Sequence, residues 1–392
     1  MIRASLAISL LLAASPLAHD PADSGAILTT PPVFERSADI TVPLRWRGGK
    51  LALDATANGV QREFLLDTGS TTILSADLAR ELDLTVLGRN VGQDANGRSI
   101  TMDIARLEQL QIGGLTVRNL PVLIFDFSAL EIGSCVIGSG VIGSDLLPAG
   151  AWTIDMQAGT LSLSDHARIP TAAPLETYGY PFTPIVVYQT GALTDRAMID
   201  TGGTGTLTLY DAAMDGLARS SPRRTIQVGQ AVAGESAGGR GDRRSLRRTR
   251  IEDLAIGTFR PGPVIAETRA VAPTLIGVDI LRTHRLALDQ PNGTVGFEPR
   301  EQTEVRPDDL GLSIEWVGGE AIITRVMANS PAARAGLRLG DRVLRANGRD
   351  LTDASEPCGQ ALWLIETLSM APVKTLTTAR EADRNIRLTP TP

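Results

Sequence analysis

Short apolar runs rich in Val, Ile, Leu and Thr recur along most of the chain, each bounded by Gly, Asn, Asp or Pro. This punctuation predicts strands joined by tight turns. Helical spacing is confined to brief stretches such as SADLARELDL (75–84) and YDAAMDGLA (210–218), so the expected fold class is mostly β. The pattern also repeats. FLLDTGSTTILS (64–75) returns as AMIDTGGTGTLTLY (197–210), VIGSDLL (141–147) as LIGVDIL (275–281), and TIDMQAGTLSL (153–163) as ALDQPNGTVGF (287–297). The blocks keep their order at offsets of 133 or 134 residues, so the chain holds two copies of one β-rich unit, 43–166 and 178–299. A Pro-rich linker at 167–177 separates them. After a polar break at 298–309 the repeat stops, and a different module is expected over 308–390.

Composition sets bounds on this picture. With 392 residues, 43% hydrophobic and 21% charged, the chain is globular and large enough for two or three domains. A net charge of −6 argues against a general nucleic-acid binder. Nine arginines between Arg219 and Arg250 face only Glu235 and Asp242. They read as a solvated, strand-rich surface or a mobile loop; the sharper alternative is a patch attracting acidic substrates or anionic lipid. MIRASLAISLLLAASPLAHD has a basic start, an apolar run and small residues before a cut after Ala18, which predicts a signal peptide (1–18). Residues 19–42 form an N-terminal extension, either a short pro-segment or a tail. The expected product is exported, periplasmic or secreted, with no integral membrane span in the mature chain; an uncleaved anchor is the alternative. Cys135 and Cys358 fall in different units and are read by default as two free, partly buried thiols, with a disulfide as the alternative. Three scattered histidines share no ligand spacing, so no metal and no cofactor is expected.

The candidate chemistry lies in the duplicated acid. Hydrolysing a peptide bond without a metal or a covalent nucleophile needs one group to deprotonate water and another to protonate the scissile carbonyl. Two carboxylates within hydrogen-bond reach can do both, because at that distance they cannot both ionise near neutrality. A pseudo-twofold pair of identical turns would bring Asp67 and Asp200 face to face.

LLDTGST and MIDTGGT, each followed about 75 residues later by an apolar-apolar-Gly (VIG, then LIG), resemble the pepsin-like and retropepsin-like aspartic proteases. The resemblance covers 43–299, with lobes nearer the compact retropepsin size. It implies two retropepsin-like β-barrel lobes related by a pseudo-twofold axis, with Asp67 and Asp200 as the catalytic dyad. Thr68 and Thr201 become interlobe ties, Gly69 and Gly202 close-approach positions, and Ile142-Gly143 and Ile276-Gly277 the strands that brace each turn. The sharing of one proton between the acids is likewise carried over from the family. The copies differ where Ser70 follows one turn glycine and Gly203 the other. A Ser70 hydroxyl donating to Asp67 would favour its ionised form, so Asp67 is expected as base and Asp200 as proton holder. Such proteases close a flap over substrate. The candidates are VGQDANGRSI (91–100), with an Asn96-Gly97 turn and no Tyr, and AVAGESAGGRGDRRS (231–245). Either both lobes supply flaps or one hairpin has decayed.

The tail, DLGLSIEW followed by AIITRVMANSPAARAGLRLGDRVLRANGRDL, resembles a bacterial PDZ domain of α+β type. The resemblance makes Leu310, Gly311 and Leu312 the carboxylate loop. It places a peptide groove between the strand at 312–317 and the helix near 358–368, filled by strand addition. The expected function is an exported aspartic endopeptidase acting on protein or peptide substrates, whose PDZ domain takes a peptide ligand. The alternative is an inactive peptide-binding scaffold.

Overall fold

The computed structural model describes residues 21–177, 182–301, 310–368, 373, 375–381 and 385–388. The expected signal peptide and residues 308 and 309 lie outside the described residues. The fold is mostly β, as the apolar pattern predicts.

The repeat is visible strand by strand. In the first lobe a hairpin of Lys50–Ala57 and Val60–Leu66 runs into the Asp67 turn; in the second, Pro184–Thr190 and Leu193–Asp200 run into the Asp200 turn. Each turn leads into a short strand (Ile73–Ser75; Leu207–Tyr210) and then a helix (Ala76–Glu81; Asp211–Ser220). The first helix begins where Ser75 Oγ accepts the Leu78 N–H, a conventional N-cap. A long hairpin follows in each lobe, Gly88–Gln93 with Ser99–Ile112, and Gln227–Val232 with Arg243–Ile251.

The strand Gly140–Ile142 lies parallel to the end of Val60–Leu66 and antiparallel to Ile73–Ser75. Thr274–Gly277 repeats this arrangement, pairing Asp200 with Gly277. Thus each acidic turn is gripped between two strands of its own lobe.

A six-stranded sheet seals the lobes together. Ala151–Asp155 pairs antiparallel with His284–Asp289, setting Trp152 opposite Leu288. Its outer strands come from segments expected to be passive. Ile40–Pro43, in the N-terminal extension, pairs with Thr160–Ser164, and Thr171–Pro174, in the expected linker, pairs with Thr294–Pro299. One apolar core runs through both lobes, with Leu51, Leu66, Ile142, Trp152, Ile199, Ile276 and Leu288 all buried in it. At about 1.5–3 kcal/mol for each large side chain buried, this shared core makes the lobes a single body.

The C-terminal module has its own core, built on Leu312, Ile314, Trp316, Leu364 and Leu376. It is not a loose appendage. Its strand Glu320–Met327 pairs antiparallel with the second lobe's Gln227–Val232, with Gly229 opposite Met327, and so extends the sheet of that lobe. On the other side, Glu366 accepts the Gly48 N–H at 2.6 Å and Glu131 accepts the Gly319 N–H at 3.0 Å.

The cysteines correct an expectation. Cys135, in the short helix Gly133–Val136, forms a disulfide with Cys358, in the helix Pro357–Leu362, so neither is a free thiol. A separation of 223 residues hid the pairing from the sequence; docking of the module brings their Cα atoms to 5.1 Å. The arginine-rich stretch likewise resolves into a paired surface. Arg244 and Arg247 engage Asp211, Arg247 also Asp215, Arg250 Glu252, and Arg240 Glu315.

Candidate active site

The two acidic turns meet at the centre of the lobe pair. The Thr68 N–H donates to Thr201 Oγ1 at 3.0 Å, and the Thr201 N–H donates to Thr68 Oγ1 at 3.1 Å. Each hydroxyl then donates onward across the interface, Thr68 to the Ile199 carbonyl at 2.7 Å and Thr201 to the Leu66 carbonyl at 2.9 Å. Four buried hydrogen bonds therefore fix one turn against the other, and buried polar groups lose heavily if left unpaired.

This tie presses each turn glycine against the opposing acid. A Cβ on Gly69 would stand 2.5 Å from Asp200 Oδ1, and one on Gly202 would stand 2.2 Å from Asp67 Cγ. No side chain fits at either position. Each carboxylate also accepts a backbone N–H from its own turn, Asp67 from Gly69 and Asp200 from Gly203, both at 2.8 Å. Beneath them, the Asp67 N–H donates to the Ile142 carbonyl at 2.9 Å, and Gly143 passes so close that a Cβ would lie 2.2 Å from the Thr71 carbonyl carbon. Gly277 plays the same part under the second turn.

Both carboxyls are fully buried. Burial, and then the charge of Asp200 beside it, holds the Asp67 carboxyl well above the ordinary carboxylate range, with the Gly69 N–H pulling the other way. The shift favours a protonated Asp67, where the sequence suggested an ionised base. The Ser70 hydroxyl does not oppose it. Ser70 Oγ donates to the Thr71 carbonyl at 3.0 Å and so does not serve the Asp67 carboxylate.

One residue at the centre had no signal in the sequence beyond a lysine heading an apolar strand. Lys50 is 1% exposed, and its Nζ donates to the carbonyl of Gly202, the turn glycine facing Asp67. Burial pushes its ammonium down to about 8, against the pull of Asp200, Asp67 and Asp279. Asp145 was missed as well, although the repeat carried a signal for it: Asp145 and Asp279 hold the same place in VIGSDLL and LIGVDIL. Asp145 accepts from the Thr71 and Thr72 hydroxyls and the Thr72 N–H at 2.7–2.9 Å, bracing the first turn from below.

Over the dyad the two long hairpins meet tip to tip, so both lobes supply a flap. Asn96 Nδ2 donates to the Gly234 carbonyl at 2.9 Å, and Asp94 accepts from Ser236 Oγ and the Gly238 N–H. The second tip reaches further. Glu235, buried, accepts the N–H groups of Glu131, Ile132 and Gly133 at 2.7–2.8 Å.

Residues 53–146 match the family model for aspartyl protease, and residues 322–356 match the PDZ domain model. The chain joins an aspartyl protease domain to a PDZ domain. The protease match spans the first lobe; the second carries the same turn, bracing strand and flap through the internal repeat. Among solved structures the chain is similar to a retropepsin-like aspartic protease from Rickettsia conorii, with 20% identity, 34% of this chain and 93% of that chain covered, and a TM-score of 0.24. It is also similar to the aspartic proteinase from Irpex lacteus, with 12% identity, 67% and 98% covered, and a TM-score of 0.43. No curated protein matches.

In the PDZ domain, Leu310, Gly311 and Leu312 are all buried, and a Cβ on Gly311, where φ is 74°, would stand 2.2 Å from Ser330 Cβ. The loop's carbonyls are used internally: Gly311 accepts from the Met327 N–H at 2.8 Å and Leu310 from the Ala332 N–H at 3.0 Å. The strand Leu312–Val317 and the helix Pro357–Leu362 flank the expected groove, and Arg240 of the second flap donates to the Trp316 carbonyl on that strand at 3.2 Å. Among the described residues, no helix is long and apolar enough to cross a membrane.

Proposed function

We propose that this protein is an exported aspartic endopeptidase whose PDZ domain engages extended peptide beside the catalytic cleft. The observation that carries the reading is the Asp67–Asp200 pair: two buried carboxyls, each against the other's turn glycine, with Asp67 pushed toward its protonated form.

The chemistry follows from that asymmetry. A water held between the carboxyls loses a proton to Asp200 as its oxygen attacks the scissile carbonyl carbon, while Asp67 gives its proton to the carbonyl oxygen. The resulting gem-diol collapses as the leaving nitrogen takes the proton from Asp200, one diol hydroxyl returns its proton to Asp67, and the C–N bond breaks. No covalent intermediate forms. The paired flaps exclude bulk water and hold the peptide extended, and the turn N–H groups keep both carboxyls aimed at the cleft. The export reading rests on the N-terminal 18 residues, and the presence of the Cys135–Cys358 disulfide favours an oxidising compartment.

The test is incubation of the purified full chain with a diverse peptide mixture, with and without a statine-type inhibitor. Internal cleavage blocked by the inhibitor, and lost by at least about a thousandfold in both Asp67→Asn and Asp200→Asn, is the expected result. Cleavage surviving both substitutions, or none by the parent chain, would overturn it. A mixture of the two variants stays inactive if the dyad forms within one chain; recovered activity would mean that it assembles between chains.

A further inference from the structure

A feature left unexplained is a cavity of about 440 Å³ that begins at Gly203 and Thr204, beside the Asp200 turn, and ends against the PDZ strands. Its size is that of a pocket for a ligand or a peptide segment, roughly 300–1,000 Å³. The second flap forms its roof, the strand Val264–Arg269 its floor, and Ser313, Glu315, Thr324 and Arg325 of the PDZ domain its far wall. A peptide leaving the dyad on this side thus passes from protease residues to PDZ residues inside one cavity.

Two groups on its wall are poised for a ligand. Ser313 is 1% exposed and, among the described residues, its hydroxyl has no hydrogen-bond partner. Leaving a buried hydroxyl unpaired is costly, so such a group aimed into a cavity marks a place where something binds. Arg269 is also buried. It donates to the carbonyls of Pro273 at 3.0 Å and of Ala95, at the first flap tip, at 3.1 Å, but it has no carboxylate partner among the described residues. The other charges of the wall are matched: Arg325 by Glu267 at 2.6 Å, Arg244 by Asp211 at 2.7 Å, Arg98 by Asp242 at 3.0 Å, and Glu315 by Arg240. That leaves Arg269, near the charge of Asp200 but bonded only to carbonyls, and one unsatisfied hydroxyl.

We propose that the PDZ domain forms a wall of the substrate cleft, and that Arg269 and Ser313 together form a subsite for an acidic side chain of the peptide. This inference rests on the peptidase reading and names part of its specificity. A carboxylate supplies a directly bonded anion for the guanidinium and an acceptor for the hydroxyl, whereas an amide of the same shape supplies only the acceptor. The PDZ domain is then a fixed component of recognition, held in place by the strand pairing at Gly229–Met327 and by the disulfide.

The experiment compares matched peptides carrying Glu or Gln at each position around the cut, using the full chain. The expected result is a Glu preference in kcat/KM at one position, reduced by about tenfold or more in Arg269→Met and by about threefold to tenfold in Ser313→Val. Taking the ratio of two substrates cancels any common loss of turnover, which matters because Arg269 also feels the charge of Asp200. Should Arg269→Met fail to fold, Ser313→Val carries the test. No Glu preference at any position, or a preference that survives both substitutions, overturns the subsite. If the parent chain cleaves nothing, fluorescence anisotropy of the same peptides on Asp67→Asn protein decides. Tighter binding of the Glu peptide, lost in Ser313→Val, keeps the subsite while the hydrolytic reading falls; equal binding, or none, ends both.

Discussion

Thr68 and Thr201 exchange hydrogen bonds across the pseudo-twofold axis, each backbone N–H meeting the other's hydroxyl at 3.0 and 3.1 Å. The exchange is the hinge on which the geometry of the site turns, because it sets how far apart the two acids stand. Thr68→Val keeps the shape and removes the hydroxyl, stranding the Thr201 N–H and the Ile199 carbonyl in the core. A loss of about 2–4 kcal/mol is expected, read as a lower denaturant midpoint, together with a larger proportional fall in kcat than in KM. A variant of parental stability would show that the tie is ornamental.

Lys50 ties its charge to the dyad. Its ammonium lowers the Asp67 carboxyl, so Lys50→Met is expected to move the alkaline limb of the kcat/KM profile, where the dyad loses its proton, to higher pH. The stability sign is separate. Between about 8 and the ordinary 10.5 the unfolded lysine binds a proton that the folded one has released. The parent chain therefore gains stability as pH rises through that window, and Lys50→Met lacks the gain. Thermal scans across the window check this; parallel curves would remove Lys50 from the account.

Ser70 supplies a contrasting case. Because its hydroxyl serves the Thr71 carbonyl, Ser70→Ala is expected to leave the acidic limb of the pH profile in place. A shift of that limb would restore the hydrogen bond to Asp67 that the sequence alone invited.

What could be read from the chain was whatever the repeat wrote twice. Asp67 and Asp200, the following Thr-Gly, the bracing Ile-Gly and the acid at 145 and 279 recur at a fixed offset, so one copy vouches for the other. Groups that occur once had no such echo. Lys50 looks like any charged residue heading a strand, and its burial follows only when the second lobe's Gly202 turn closes over it. Ser70 was misread because a hydroxyl beside an acid can as readily bond to local backbone, a choice set by side-chain rotamer and not by spacing. The 167–177 segment looked like a linker because Pro marks loops, yet Pro is tolerated at a sheet edge, where Thr171–Pro174 lies.

The disulfide gives a direct handle on how the PDZ domain is held. Closing so long a stretch of chain restricts the unfolded state, and removing the bond is expected to cost about 2–4 kcal/mol. Cys358→Ser should melt at lower temperature than the parent. Reductant should bring the parent down to the same value while leaving Cys358→Ser unmoved. Equal melting of the oxidised parent and the variant would show that strand pairing alone secures the domain.

Glu235 decides how readily the roof lifts. It belongs to the second flap, yet its carboxylate satisfies three consecutive N–H groups of the first lobe, and those groups open the helix that carries Cys135. Substrate can reach the buried acids only if the tips part, which breaks these bonds together with the Asp94 contacts to Ser236 and Gly238. In Glu235→Ala the closed state loses its anchor while the hairpins stay intact, since the pairing of Glu235 with Arg240 and the longer ladders behind it are made by backbone. With each charge-assisted hydrogen bond worth about 1.5–3 kcal/mol, opening becomes at least about tenfold more frequent. Amide hydrogen exchange at 131–133 and at both tips should accelerate by that factor, with the strands of the interlobe sheet unchanged. If entry limits turnover, kcat/KM rises in the same variant. Exchange that quickens throughout the molecule would instead make Glu235 a pillar of the fold, and unaltered exchange would leave the roof without its latch.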